Sequence, residues 1–332
     1  MRLAIIIVNF RTADLVEDCL HSLSSDIMGL DGRVVIVDNH SDDDSIERLS
    51  RTIETQDWKQ WATILPQDRN LGFAAGNNAA ILYLLALESP PEHLLLLNPD
   101  TVVHQGAVER LIRFLDDHPK AGIVGAQLEN EDHVAQSSAR RYPSMWSELE
   151  NGARLGVLSR LLKNYRVALP AMSHAISCDW VSGAAMMIRR EVIEQIGLMD
   201  EGFFLYFEEL DFCQRAHHAG WQIWLEPAAQ VTHLEGRATG IQLARRRRGQ
   251  YWYDSRRRYF IKQHGVLRWI LADLLWSLGR LSLLLRTRLS LGGDTSGDPL
   301  CFFRDLIWSD MCAFFNSEAR RIRSSVKPKR RA

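Results

Sequence analysis

Three short apolar runs in the first hundred residues each end in amide or carboxylate side chains, and this repeated junction restricts the fold more than any other feature. Leu3 to Val8 ends at Asn9, Arg33 to Val37 at Asp38-Asn39, and Leu94 to Leu97 at Asn98-Pro99-Asp100. Apolar runs this short, without polar alternation, read as strands buried on both faces. Between them the pattern predicts helices. One starts after Thr12, with Asp14 and Glu17 in its first turn and Leu15, Val16, Cys19, Leu20 and Leu23 as its apolar stripe. Another starts at Ser45, and a third runs from about Gly76 to Leu87, with a weaker strand at Ala62 to Leu65. Strands alternating with helices predict βαβ units on a parallel sheet. Ligands of such sheets bind outside the C-terminal ends of the strands. Asn and Asp also serve as ordinary turn and cap residues, but three such clusters on one edge point to a site.

Residues 120–240 are less regular. Gly122 to Gly125 and Ala184 to Ile188 read as short strands, Arg189 to Ile196 as a helix closed by Gly197, and Trp221 to Leu225 as a late strand. The aromatic segment Phe203 to Phe207 runs into Glu208-Glu209-Leu210-Asp211 and a helix that stops at Gly220. With 332 residues, 46% hydrophobic and 24% charged, the chain can bury a real core, which excludes disordered, collagen-like and disulfide-stapled classes. Five dispersed cysteines without a CxxC pair form neither a zinc motif nor a disulfide framework, and fit a reducing compartment. The first apolar run is too short for a secretory signal.

The net charge of -1 conceals an asymmetry. Residues 241–332 hold 20 Lys+Arg and 7 Asp+Glu, which leaves 20 and 34 of the chain's 40 and 41 in residues 1–240. The division predicts an acidic domain over 1–240 and a basic extension over 241–332 facing something anionic. From Val266 to Leu291, leucine and tryptophan are interrupted by Arg268, Asp273, Arg280, Arg286 and Arg288. The longest charge-free stretch is too short to span a bilayer. Two readings stand: an amphipathic helix in a membrane interface, or a helix packed on the domain with its arginines reaching water. Lys327 to Arg331 reads as a solvated tail.

Asp100, on a tight turn at a strand end, suits a divalent cation that fills its other positions with phosphate oxygens and water. His233 is a candidate nitrogen ligand, although a lone histidine is more often structural. Glu208, Glu209 and Asp211 crowd one helix start, where carboxylates interact favourably with the helix dipole. Apolar crowding would also raise one of them into the range of a general base. The loop Asn70-Leu71-Gly72-Phe73, with Gly76-Asn77-Asn78, enters a helix and can hold an anion on its amides. It matches neither GxxxxGK[ST] nor GxGxxG.

Together, Ile7-Val8-Asn9-Phe10, Val37-Asp38-Asn39-His40-Ser41, Arg69 to Phe73 with Gly76-Asn77-Asn78, and Leu97 to Asp100 resemble the family 2 glycosyltransferases, rhamnosyltransferase-like branch. Trp180 to Ala184, Phe203 to Cys213 and Gly220-Trp221 extend the resemblance over about residues 1–240. The resemblance implies a GT-A fold: a Rossmann-like, mostly parallel central sheet flanked by helices, here with a basic helical C-terminal extension. It also implies a nucleotide-diphosphate sugar donor, a divalent cation (Mg2+ or Mn2+) and inversion at the anomeric carbon. Asn9 and Asp38 would contact the nucleoside, and Asn70, Gly72 and Asn77 would line its pocket. Asn98-Pro99-Asp100 stands where the family has a DxD-type motif, with Asp100 and His233 as metal ligands. Glu208-Glu209 replaces the usual Glu-Asp pair, which makes Glu209 the expected base and Asp211 the runner-up. Trp180, Ser182, Gly183 and Glu208 would border the acceptor.

The branch implies dTDP-rhamnose as first donor, with UDP-hexoses and galactofuranose open. The implied acceptor is a glycan or lipid-linked glycan of cell-surface polysaccharide synthesis. The enzyme is expected to be cytoplasmic, held at the inner face of a bacterial plasma membrane by its basic extension on anionic lipid. A nucleotidyltransferase-type enzyme is the alternative, but it would need a basic phosphate loop where only Arg69 is near. A nucleic-acid module using Arg245–Arg248, Arg256–Arg258, Trp252, Tyr253 and Tyr259 is a third reading. The acidic body opposes it, and no nucleic-acid partner is expected.

Overall fold

The computed structural model describes residues 1–234, 236, 246–316 and 322. Glu235, Arg245 of the arginine run and the Lys327–Arg331 tail lie outside the described residues. Two compact units emerge. The first holds residues 1–140, 168–204 and the chain from 208 to the end of the last strand. The second holds 141–167, 205–207 and the described chain from 246 onward.

In the first unit, β1 (Leu3–Asn9), α1 (Ala13–Ile27), β2 (Gly32–Asp38), α2 (Ser45–Thr55), β3 (Ala62–Pro66), α3 (Phe73–Leu85) and β4 (His93–Leu97) alternate as the apolar runs predict. Next come β5 (Thr101–Val103), α4 (Ala107–Asp117), β6 (Ala121–Glu129) and β7 (Ala139–Arg140). In the second unit, α5 (Met145–Ala153) and α6 (Gly156–Leu161) follow. The chain returns to the first unit with β8 (Ile176–Cys178), β9 (Trp180–Val181), β10 (Ala185–Arg189), α7 (Arg190–Ile196), α8 (Glu208–His218) and β11 (Gln222–His233). Finally, α9 (Gln250–Arg288) and α10 (Phe302–Phe315) complete the second unit.

The main sheet runs β3-β2-β1-β4-β10-β6-β11-β5, with β8 also on β11, and β7 and β9 pair separately. Strands β1 to β4 are parallel, as expected. β10 is inserted antiparallel between β4 and β6, and β6 and β11 again run with β4. Every residue of β1, β4 and β6 is buried, so these strands carry helices or chain on both faces. The main core joins Ile5, Ile7, Leu20, Leu23, Ile36, Leu95 and Leu97 with Leu111, Leu115 and Val124.

The late strand extends well past the expected Leu225. β11 continues through Pro227 because its register against β6 shifts between Glu226 and Gln230, a bulge that absorbs the proline. This extension carries Thr232 and His233 alongside β5.

In the second unit, α9 breaks at Gly265, whose φ of 82° suits glycine. After the break, Trp269, Ala272, Asp273, Trp276, Gly279 and Leu283 are buried. α5 and α9 approach backbone to backbone. A Cβ on Gly279 would lie 2.6 Å from the Ala153 nitrogen, and one on Gly152 would lie 2.4 Å from the Trp276 carbonyl oxygen. The opposite face exposes Leu267, Leu271, Leu274, Leu278, Leu281 and Leu285. One helix thus has both a packed face and an exposed apolar face. Among the described residues no helix is long and apolar enough to cross a membrane.

Candidate active site

The registers bring the strand-end polar residues onto one edge. Asn9 pairs with Asp38, Ile7 lies level with Leu97, and Leu97 with Ala185. The C-terminal ends of β1, β2 and β4 and the start of β10 therefore meet at a single rim. Asn9, Asp38, Asp100 and Asn77 are all buried there.

The first cluster joins β1 to β2. Asn9 Nδ2 donates to Asp38 Oδ1 at 2.7 Å, and the Ser41 hydroxyl donates to the same oxygen at 2.5 Å. Ser41 N–H donates to the other carboxylate oxygen at 3.0 Å, and Asn9 Oδ1 accepts from Thr12 N–H and Oγ1. The Asp38 carboxylate is fixed by three donors before any ligand arrives. Thr12 and Ser41 escaped the sequence reading as site residues because hydroxyls near strand ends look like ordinary turn chemistry.

The second cluster is the glycine loop. Asn70 Oδ1 accepts from Gly72 N–H at 2.9 Å and from Asn39 Nδ2 at 3.0 Å. Gly72 has a φ of 90°, and a Cβ there would sit 2.0 Å from the Phe204 carbonyl oxygen. The same oxygen accepts from Phe73 N–H at 2.7 Å. Asn77 Nδ2 donates to the Phe73 carbonyl, and its buried Oδ1 has no hydrogen-bond partner among the described residues. Asn78, in contrast, is a stitch to Met199 and Glu201.

The third cluster lies past β4. His233 Nε2 is 3.3 Å from Asp100 Oδ1 and 3.5 Å from Asn98 Nδ2. Leu234 N–H donates to the Asp100 carbonyl at 2.9 Å and Asn98 N–H to the Ala184 carbonyl at 3.0 Å, so β10 and β11 both brace this turn. A carboxylate and an imidazole nitrogen this close on a braced turn fit a divalent cation that takes its remaining ligands from substrate and water.

The fourth cluster is the acidic start of α8. Tyr206 and Phe207, immediately before it, both have positive φ, of 69° and 71°. Non-glycine residues in this region are strained, and such strain gathers at functional sites. Burial pushes the Glu209 carboxyl above the usual glutamate range, although its helix-start amides and the charge of Arg140 pull it back down. Glu209 Oε2 is buried without a hydrogen-bond partner among the described residues. A Cβ on Gly183 would lie 3.4 Å from Glu209 Cβ and 3.7 Å from Phe73 Cε1, so this glycine lets both side chains in close. Ser182 Oγ accepts from Ala184 N–H and shapes that turn.

Of the other two acids, Glu208 is buried. Asp211 is fully buried and pairs with Arg215 Nε at 3.0 Å. Arg215 in turn donates to the carbonyls of Ile196 and Leu198, so this pair ties α8 to the end of α7. Arg140 lies over the Trp180 ring at 5.1 Å, across the small β7–β9 sheet. Arg140 was missed from sequence, since its partner is far along the chain and no local pattern marks it.

Comparison with known proteins identifies the family and the fold. The profile described as "Glycosyltransferase like family 2" matches residues 1–252. The chain belongs to glycosyltransferase family 2. It is a glycosyltransferase with a GT-A fold, and curated family members similar to it include rhamnosyltransferases. The N-acetylglucosaminyl-diphospho-decaprenol L-rhamnosyltransferase of Mycobacterium tuberculosis is 28% identical over 242 residues, 68% of this chain and 74% of that protein. The dTDP-rhamnosyl transferase RfbF of Shigella flexneri is 21% identical over 275 residues, 81% and 84% of the two chains. Among solved structures, the Pyrobaculum calidifontis mannosyltransferase in complex with GDP-Man and Mn2+ is similar, with a TM-score of 0.54 at 14% identity, covering 97% of this chain and 83% of that one. S. aureus TarS 1-349 in complex with UDP-GlcNAc has a TM-score of 0.52 at 15% identity, covering 97% and 84%.

Proposed function

We propose that this glycosyltransferase is an inverting, cation-dependent enzyme that moves a sugar, L-rhamnose first, from a nucleotide diphosphate to a hydroxyl of a glycan or lipid-linked glycan. What supports the reading is the edge where β1, β2 and β4 end and β10 begins: it carries Asn9, Asp38 and the 98–100 turn, with Asp100 3.3 Å from His233 and Gly183 against Glu209. Asn9 and Asp38 hold the nucleoside, and Asn70, Gly72 and Asn77 line its pocket. Asp100 and His233 would hold a Mg2+ or Mn2+ ion, with Asn98 on the donor side of the same turn. When bound, such an ion neutralises charge on the departing diphosphate. Glu209 takes the proton from the acceptor hydroxyl, whose oxygen attacks the anomeric carbon opposite the nucleotide. One displacement inverts the configuration. Trp180, Ser182, Gly183 and Glu208 border the acceptor, while Asp211 holds α8 in place through Arg215. The similarity to the mycobacterial and Shigella rhamnosyltransferases supports the choice of sugar, and the diphospho-decaprenol acceptor of the former supports a lipid-linked acceptor.

Donor hydrolysis across a set of nucleotide sugars tests this. The expected result is turnover of dTDP-rhamnose above UDP- and GDP-sugars, its loss with EDTA and its return with Mn2+. Asp100→Ala is expected to lose nearly all turnover at every Mn2+ concentration. Undiminished turnover by Asp100→Ala, or in EDTA, would remove the cation from the reading.

The catalytic domain is assigned to 1–240 and a membrane-associating extension to 241–332, at the cytoplasmic face of the membrane. After Gly265 in α9, and in α10, the acids Asp273, Asp305 and Asp310 are all buried, whereas Arg268, Arg288 and Arg304 are exposed. Between these arginines lie the exposed leucines of α9 and Trp308, Met311 and Phe315 of α10. On these two helices the exposed charges past Gly265 are positive, with exposed Asp294 in the loop between them; large apolar side chains beside exposed arginines complement anionic lipid. Co-sedimentation with phosphatidylglycerol vesicles is expected, with little on phosphatidylcholine and a marked loss in Leu274→Glu/Leu278→Glu. Equal binding to both vesicle types would contradict it.

A further inference from the structure

On the other side of β11 from His233 lies a group of side chains that plays no part in the sugar-transfer reading. Successive strand residues face opposite sides of a sheet, so Thr232 points away from the Asp100–His233 pair. His104 Nε2, just past β5, lies 2.8 Å from Thr232 Oγ1 and 3.0 Å from Glu129 Oε1. His133 Nδ1 reaches the same Glu129 oxygen at 2.6 Å. Glu129 is the last residue of β6 and only 4% exposed. Its nitrogen and oxygen neighbours come from three separate stretches of chain, and one potential ligand atom from each of His104, Glu129 and His133 lies within 4.8 Å of the others.

We propose that His104, Glu129 and His133 form a second metal site, selective for Zn2+-like ions and separate from the donor cation. Three features of the group support this. Two imidazoles and one carboxylate are the donor set of a three-ligand zinc site with an open position. Tetrahedral ligands about 2 Å from zinc stand roughly 3.3 Å apart, so the two spacings to Glu129 need only a slight widening, and the imidazole nitrogens, within 4.8 Å of one another, lie in reach of one ion. Imidazole nitrogen favours Zn2+, Ni2+ or Cu2+, whereas the donor site, with one imidazole and most of its ligands oxygens from carboxylate, substrate and water, suits Mg2+ or Mn2+. The two sites should therefore sort ions between them. His133 is held toward Glu129 by a tight turn, in which Asn130 Oδ1 accepts from Asp132 and Val134 N–H while His133 itself takes a φ of 58°. The Thr232 hydroxyl donates to Glu129 Oε1 at 3.2 Å and would orient the carboxylate. A bound ion would pin β5, β6 and the 130–134 turn together beside the strand that carries His233.

Titration of tag-free, chelator-treated full-length protein with Co2+, followed by visible absorption, tests the site. Wild type is expected to develop the intense bands of a low-symmetry, nitrogen-ligated Co2+ at one equivalent, and Zn2+ is expected to displace them. His133→Ala, on an exposed side chain that should not disturb folding, is expected to weaken binding at least tenfold. Glu129→Gln should do the same, while Asp100→Asn leaves the bands unchanged. Zn2+ is also expected to raise the thermal midpoint of wild type but not of His133→Ala. Absence of the bands in wild type, equal affinity in His133→Ala, or loss of the bands in Asp100→Asn would each overturn the proposal. None of these readouts depends on sugar transfer, so they stand apart from the donor assays.

Discussion

Glu209→Gln is expected to lower transfer to acceptor by about 10²–10⁴-fold, the usual contribution of a positioned general base, while nucleotide affinity stays close to wild type. The amide keeps the shape and burial of the side chain but cannot accept a proton. Desolvation favours the neutral acid and holds the Glu209 carboxyl above the ordinary range. The base must be ionised to act, so transfer by wild type should rise with pH as Glu209 loses its proton. The midpoint should lie above that of an unperturbed glutamate. Glu209→Gln should lack this limb altogether. Calorimetric titration with nucleotide diphosphate and Mn2+, beside a pH series of initial rates, checks both halves. Asp211→Asn serves as contrast: its partner is Arg215 rather than open space, so its loss should appear first as a lower unfolding midpoint. Full transfer by Glu209→Gln would move the base elsewhere.

The second large effect concerns stability. Arg256 is buried in the second unit, where it donates to Glu148 at 2.7 Å and to Asp273 at 2.6 Å, and lies 3.7 Å from Asp310. One guanidinium thus neutralises carboxylates from α5, α9 and α10. Removing one partner of a buried pair strands the others without counter-charge, which costs about 3–5 kcal/mol. Arg257 helps Asp310 through its own 2.7 Å contact, yet burial and Asp273 still push Asp310 up to about 7. Arg256→Ala should therefore unfold the second unit at distinctly lower denaturant, seen by tryptophan fluorescence from Trp252, Trp269 and Trp276. The triple change Arg256→Met/Glu148→Gln/Asp273→Asn should recover much of the loss, because no buried charge is then left alone at those positions. A single change that left the transition in place would show that the carboxylates find other partners.

Much of the first unit was legible because its strands are buried on both faces. Leu3 to Val8, Val34 to Val37 and Leu94 to Leu97 leave no alternative to sheet, and the Asn and Asp residues that follow them mark the functional rim. The long-range pairing was not legible. Nothing near Ala139-Arg140 announces that it pairs with Trp180-Val181, so Arg140 beside Glu209 went unread. Asn39 and Ser41 were visible as part of a motif, but not as the donors that fix Asn70 and Asp38. Glu209 and Asp211 could not be separated from sequence, since both sit in the first turn of α8. Only packing reveals that Arg215 occupies one and not the other. α10 was missed as well, because apolar residues surround it and blur the helical stripe. The divided behaviour of α9 follows from glycine spacing: Gly279 admits α5 on one side and leaves the leucines of the other side uncovered.

The contact between Gly72 and Phe204 has a consequence for redesign. The stretch that enters α3 and the stretch that leads into α8 share one carbonyl oxygen, with no room for even a methyl group between them. Neither stretch can shift without carrying the other, so in the proposed reading the loop that would line the donor pocket and the lead-in to the proposed base are mechanically linked. Grafting a foreign segment at 69–78 to change sugar preference would therefore displace the base as well, unless the glycine and its left-handed turn travel with the graft.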